Sequence, residues 1–215
     1  MSQGSQHVSL LFTGSIRNAL RMMLEDSEQP IFGEAVHKQL PSIAPADFWE
    51  YLDYQFEATG KPADEDALDH LIALTAAHPR RTQQLAWQTW NSVAPGMTAA
   101  LEDVITAHED LVQNIERSEY AAALQLLANG DEGEFNELRA LQLLADRGGE
   151  RITSREQAAL YGFSSHSRVP TSLERLRGRG LVEQRNGTWE IVDPLFAEWL
   201  RRHSPLSSRE SPSPE

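Results

Sequence analysis

Ser172-Leu173-Glu174-Arg175-Leu176-Arg177-Gly178-Arg179-Gly180-Leu181-Val182-Glu183 is the stretch on which the fold turns. Leu173 and Leu176 are one helical turn apart and share an inward face. Gly178 and Gly180 then let the chain fold back. Two short strand-forming runs follow, Leu181-Val182-Glu183-Gln184 and Thr188-Trp189-Glu190-Ile191-Val192, around Asn186-Gly187, a strong two-residue hairpin signal. Upstream, Glu134 to Asp146 reads as a helix ended by Gly148-Gly149, and Thr153-Ser154 caps a second from Arg155 to Tyr161. A turn over Gly162 to Ser165 leads into the third helix, roughly Ser167 to Arg177. Asp193-Pro194 starts a last helix, Leu195 to Arg202. Three helices followed by a glycine-turned hairpin are the order of a winged helix-turn-helix domain.

The chain ahead of this unit is almost wholly helical in pattern. Val8 to Phe12 reads as a short buried strand ended by Thr13-Gly14-Ser15, and Ser15 is placed to cap a helix from Ile16 to Leu24. That strand needs a sheet for its backbone groups, yet no further strand is expected before residue 181. A short helix is expected over Gly33 to Gln39. Ala46/Asp47 are expected to cap a helix through Ala58, with Phe48, Tyr51, Leu52, Gln55 and Phe56 on one face. Asp64 caps the next, with Ala67, Leu68, Leu71, Ile72 and Leu74 at helical spacing. Pro79 fits the first turn of a helix reaching Val93. Thr98 is expected to cap a long helix whose stripe is Leu101, Val104, Ile105, His108, Leu111, Val112 and Ile115, and another helix is expected over Glu119 to Ala128. Asn129 to Gly133 is the clearest domain boundary. The five tryptophans fall mostly on helical stripes or strands and are read as core.

Charge divides the chain. Residues 1–133 hold 7 Lys+Arg against 20 Asp+Glu, net −13, whereas residues 134–203 hold 11 Arg against 10 Asp+Glu, net +1. Any nucleic-acid contact therefore belongs to the C-terminal third. Double-stranded DNA would be met through 164–187. Ser165, His166, Arg168, Thr171, Arg175, Arg177 and Arg179 are the candidates on and around the third helix, with Arg185 and Asn186 at the wing tip. The competing reading is that neighbouring glutamates balance these arginines, and the near-neutral charge keeps both open. The absence of cysteine excludes disulfides and thiolate chemistry. The seven histidines show no metal-ligand spacing, and no metal site is expected. No apolar run would span a bilayer, and a cytoplasmic location is expected.

Four further motifs carry a family resemblance: Leu10-Leu11-Phe12-Thr13-Gly14-Ser15, Pro30-Ile31-Phe32-Gly33, Ala77-His78-Pro79-Arg80-Arg81-Thr82-Gln83-Gln84, and Asp193-Pro194-Leu195-Phe196-Ala197-Glu198-Trp199-Leu200. In this order and spacing they resemble the C-terminal half of archaeal-type AAA+ ATPases, P-loop proteins broadly similar to STAND-type ATPases. The resemblance implies a mainly α chain. Residues 1–45 would be a remnant of the ATPase core with the sensor-1 strand, 46–129 a helical lid-like domain, 130–203 the winged helix, and 204–215 a disordered tail. Thr13, Ser15, His78, Arg80 and Arg81 would lie near nucleotide, with Arg80 or Arg81 sensor-2-like. The sequence departs from the family in having Glu34 where arginine often follows the glycine, and Ala77 where the lid turn usually begins with glycine. It also has no Gly-x-x-x-x-Gly-Lys-Ser/Thr and no apolar strand ending in paired acids.

Full-length family members use ATP and Mg²⁺; this chain alone is expected to hold neither, and no catalytic residue is assigned. The expected function is that of a truncated or P-loop-lacking ATPase-family protein, binding DNA or a protein partner without autonomous hydrolysis. A winged-helix regulatory module and an ATPase subunit completed by a partner chain are the alternatives.

Overall fold

A computed structural model describes residues 43–115, 124, 127, 132–150 and 152–203. The strand expected over 8–12, the helices expected over 16–24 and 33–39, Thr13, Ser15 and the tail 204–215 lie outside these residues. The helix expected over 119–128 is described only at Leu124 and Leu127.

Four helices form the first unit: α1 (Pro45–Ala58), α2 (Glu65–Thr75), α3 (Pro79–Ser92) and α4 (Leu101–Ile115). Helix α2 packs on the other three, and α3 packs on α4. Their apolar stripes meet in one core built from Phe48, Leu52, Phe56, Leu68, Leu71, Leu85, Val104 and Leu111. Pro45 occupies the first turn of α1, and no side chain caps it, so the expected Ala46/Asp47 cap is not formed. Asp64 is the N-cap of α2 but makes no side-chain capping bond. Helix α4 begins beyond Thr98, and there Asp103 accepts from the Ala100 N–H at 2.9 Å. The two loops at this end are tied by a parallel bridge between Ala63 and Ala99.

The second unit follows the expected order: α5 (Glu132–Arg147), α6 (Arg155–Leu160), α7 (Arg168–Gly178), β1 (Val182–Arg185), β2 (Thr188–Ile191) and α8 (Pro194–His203). Ser154 caps α6, accepting from Gln157 N–H at 3.3 Å. The strands pair antiparallel, from Val182 opposite Ile191 to Arg185 opposite Thr188. Asn186 (φ +50°) and Gly187 (φ +83°) supply the two positive φ angles that a tight hairpin turn requires. The reversal ahead of β1 is made by Gly180 at φ +75°, whereas Gly178 is still helical. Leu173 and Leu176 are fully buried, as their spacing demands, among Leu138, Leu141, Val169, Val182, Leu195 and Leu200.

The units share structure as well as a boundary. Val112, on the first unit's α4, belongs to the core of the second, with Leu124 and Leu127. Helix α8 packs on α2 and α4 as well as on α5 and β2. Three expected core positions are corrected. Tyr51 and Ile105 are exposed because they sit at the margins of their helical stripes, and Trp87 is 61% exposed on α3.

Candidate functional site

The turn between α2 and α3 is built from unusual backbone. Ala76 and Ala77 both take left-handed conformations, at φ +48° and +51°, where glycine is the easier residue. His78 then caps α3: its Nδ1 accepts from the Arg81 N–H at 3.4 Å. Burial is the main cause holding the His78 imidazole below its ordinary pKa; the Arg81 charge adds to it and Asp193 opposes it. Thr75 and Thr82 brace the turn with a buried hydroxyl pair at 2.8 Å.

Arg80 is exposed. Arg81 is 1% exposed, and its guanidinium reaches out of the first unit onto Asp193 of the second. Its Nε lies 2.9 and 3.0 Å from the two carboxylate oxygens, a terminal nitrogen also donates to that carboxylate, and the other donates to Gln84 Oε1 at 2.7 Å. Asp193 in turn accepts from the Leu195 N–H at 3.1 Å and the Phe196 N–H at 3.4 Å, capping α8. One carboxylate therefore starts the last helix and neutralises the buried arginine of the turn between α2 and α3.

A second ionic tie joins the units nearby. Arg202 of α8 pairs with Glu109 of α4 at 2.5 Å and with Glu198 at 2.8 Å. The Arg202 hydrogen bond chiefly keeps the Glu109 carboxyl below its usual range. His108 is buried beside this cluster, and burial first, then Arg202, lowers its pKa. Against this second tie lies a cleft of about 740 Å³ lined by His70, His108, Glu109, Trp189, Glu198 and Arg202 among others.

On the winged helix, Ser165, His166, Arg168, Thr171, Arg175, Arg177, Arg179, Arg185 and Asn186 are all exposed. Each of these five arginines has a carboxylate partner. Arg168 pairs with Glu132 at 2.6 Å, Arg177 with Glu174 at 2.5 Å, and Arg185 with Glu183 at 2.5 Å. Arg175 and Arg179 both reach Glu137, at 3.9 and 3.1 Å. Glu137 is 1% exposed, so these two arginines serve a carboxylate held inside the fold. Ser165 and Ser167 hydroxyls pair at 2.9 Å, and the Thr171 hydroxyl donates to the Ser167 carbonyl at 3.4 Å. Sequence reasoning missed Glu137, Glu109 and Asp193 as partners; only Asp193 carried a local signal, the Asp-Pro start of a helix.

These features define a winged-helix protein whose preceding helices are locked onto it. Residues 134–202 match the family model described as "Probable winged helix domain". Among solved structures the chain is similar to a Walker-type ATPase of Pyrococcus abyssi, with 17% identity and a TM-score of 0.66 over 87% of this chain and 51% of that one. This chain thus shares the fold of about half of that ATPase, as the sequence resemblance implied. No curated protein sequence matches the chain. Among the described residues, no helix is long and apolar enough to cross a membrane. The guanidinium of Arg81 is held by Asp193 and Gln84, and the sequence contains no Gly-x-x-x-x-Gly-Lys-Ser/Thr.

Proposed function

We propose that this chain supplies a lid and a winged helix to a P-loop ATPase core carried elsewhere, docking on that core as a single body and hydrolysing no ATP by itself. The observation that carries the reading is the Arg81–Asp193 pair. Arg81, one of the two arginines of this turn that the resemblance puts near nucleotide, is clamped to Asp193, the residue that caps the winged helix's last helix. Any displacement of the lid turn is thereby handed to the winged helix. Hydrogen exchange tests the coupling: α3 and α8 are expected to open together, and Asp193→Asn is expected to let them open separately. Independent opening in the unaltered chain would defeat the proposal, as would steady ATP turnover by the pure polypeptide.

Double-stranded DNA binding through 164–187 is the second reading, favoured by the exposure of all nine candidate side chains. Against it, five of them are arginines already facing carboxylates. Fluorescence anisotropy with a labelled duplex separates the readings. Coupling to a core predicts little salt-sensitive affinity, whereas DNA binding predicts a log–log salt slope of roughly −3 to −5 from the arginine contacts.

A further inference from the structure

The cleft beside the Arg202 tie takes its walls from both units, α2 and α4 on one side and α5, β2 and α8 on the other. At about 740 Å³ it falls in the size range of small-molecule sites. Much of the lining is apolar: Leu74, Ile105, Leu144, Ala145 and Ile191. Ile105 is 43% exposed, so a large aliphatic side chain is presented to the cleft. The charges of the lining are largely matched. Arg202 holds Glu109 and Glu198, and Arg201 holds Glu198 while its Nε donates to the Ala145 carbonyl at 2.9 Å. Those four charges cancel. Glu190, the one other charged side chain of the lining, faces Arg185 at 3.8 Å. Little net field is left to draw an ion in. Among the described residues no three His, Asp or Glu side chains are grouped to hold a metal ion.

Three aromatic rings of the lining keep open polar atoms. His108 is only 6% exposed, yet its imidazole has no hydrogen-bond partner among the described residues. A polar side chain so deeply buried is ordinarily paired. Its ring nitrogens are not sealed in, unlike the orphaned hydroxyl of Thr89, so they stay within reach from the cleft. Burial, then the Arg202 charge, favours the neutral imidazole, which offers one donor and one acceptor. His70, half-buried on α2, and the indole N–H of Trp189 on β2 also make no hydrogen bond among the described residues. A molecule that suits this lining is uncharged, has an apolar body and carries hydrogen-bonding atoms at its edge. A ring-rich lining packs best on a flat partner, and a rigid ring system loses little conformational freedom on binding.

We propose that this cleft is a binding site for an uncharged, flat heteroaromatic molecule of about two or three rings, its body on Leu74, Ile105 and Ile191 and its ring nitrogens hydrogen-bonded to His108. The inference is independent of what the winged helix binds. The probe is 7-azaindole, which sets a ring N–H beside a ring acceptor and is neutral at neutral pH. Indene, its apolar isostere, and 7-azaindole-3-carboxylate, its anion, are the comparisons. In titrations of the full chain followed by saturation-transfer NMR, 7-azaindole is expected to bind one site with a Kd of about 1 mM or lower. Indene is expected to bind about tenfold more weakly for want of the hydrogen bonds, and the carboxylate at least as weakly for want of a cation to pair with. His108→Leu is expected to weaken 7-azaindole about tenfold and to abolish its preference over indene. Ile105→Trp, at a partly exposed position, fills the cleft and is expected to block the probe in a chain whose melting is unchanged. No saturable binding of 7-azaindole up to about 10 mM overturns the proposal. So does equal affinity for the three probes, or binding that survives both substitutions, which would seat the probe elsewhere.

Discussion

Arg81 keeps its charge inside the protein because every face of its guanidinium is occupied, two-thirds of it by a residue 112 positions away. Removing the acid takes its carboxylate partner from a buried cation and its cap from α8. Asp193→Ala is therefore expected to lower stability by about 3 kcal/mol in urea unfolding. Asp193→Asn, which keeps the cap, should lose measurably less, and a change in Asp193→Ala below about 1 kcal/mol would show the pair to be idle. The neighbouring turn stores the opposite kind of effect. Ala76 is exposed and left-handed at the C-cap of α2, so Ala76→Gly is expected to stabilise by roughly 0.5–1 kcal/mol, even after the greater freedom of glycine in the unfolded chain. At this scale the sequence was readable where chemistry is local. Asn186-Gly187 announces its turn and Ser154 its cap, since both act within three residues. The partner of Arg81 was not readable, because nothing near position 81 encodes which acid the folded chain will bring to it.

Among the elements, α5 explains why the arginines of α7 are not a free cationic surface. Glu137 is presented from the buried side of α5, and Arg179 and Arg175 of the next layer close over it. Arg179→Ala is expected to cost about 1–2 kcal/mol of stability, because the buried Glu137 loses its 3.1 Å ion pair while the contact to Arg175 stays at 3.9 Å. Arg168→Ala, whose partner Glu132 is exposed, should change stability by less than about 1 kcal/mol. Equal effects from the two substitutions in thermal unfolding would contradict this division. Helical periodicity foretold the inward leucines of α7 but not Glu137, since a stripe read from apolar residues is blind to a carboxylate within it. The same method placed Tyr51 and Ile105 inside because a 100° step leaves marginal positions ambiguous. A closer contact lies between the loop after α5 and β2: a Cβ at Gly149 would stand 2.0 Å from the Trp189 carbonyl oxygen. Gly149→Ala must push the wing aside and is expected to lower the unfolding midpoint clearly, with loss of the hairpin's exchange protection.

For the whole molecule, the two ionic ties make the junction of the units sensitive to acid. His78 sits with Arg81, Arg80 and Asp193, and His108 with Arg202, Glu109, Glu198 and His70. Both imidazoles have pKa values below the ordinary 6.5, so the folded state favours their neutral forms. Their contribution is intact above the unfolded pKa and is lost as pH falls through it toward the lower folded value. Glu109 and Glu198, also lowered, add stability that disappears below the ordinary 4.5. The signs agree: the urea midpoint should fall steadily from about pH 7 to pH 4, and His108→Gln should flatten the upper part of that slope. An unchanged slope would mean the histidine takes no part. At the alkaline end Tyr161, raised above 10.0 by burial and its hydrogen bond to Asp146, withdraws stability as pH climbs past that value.

Val112 gives the chain a constraint on its ancestry. It grows from α4 yet fills the core of the unit that follows, a burial worth roughly 1.5–3 kcal/mol. A recombination event that carried only residues 132–203 into another gene would transplant a domain with a dent in its centre and a bare apolar patch around it. A piece that keeps this core filled begins no later than α4, so the first helical unit and the winged helix are expected to be inherited together.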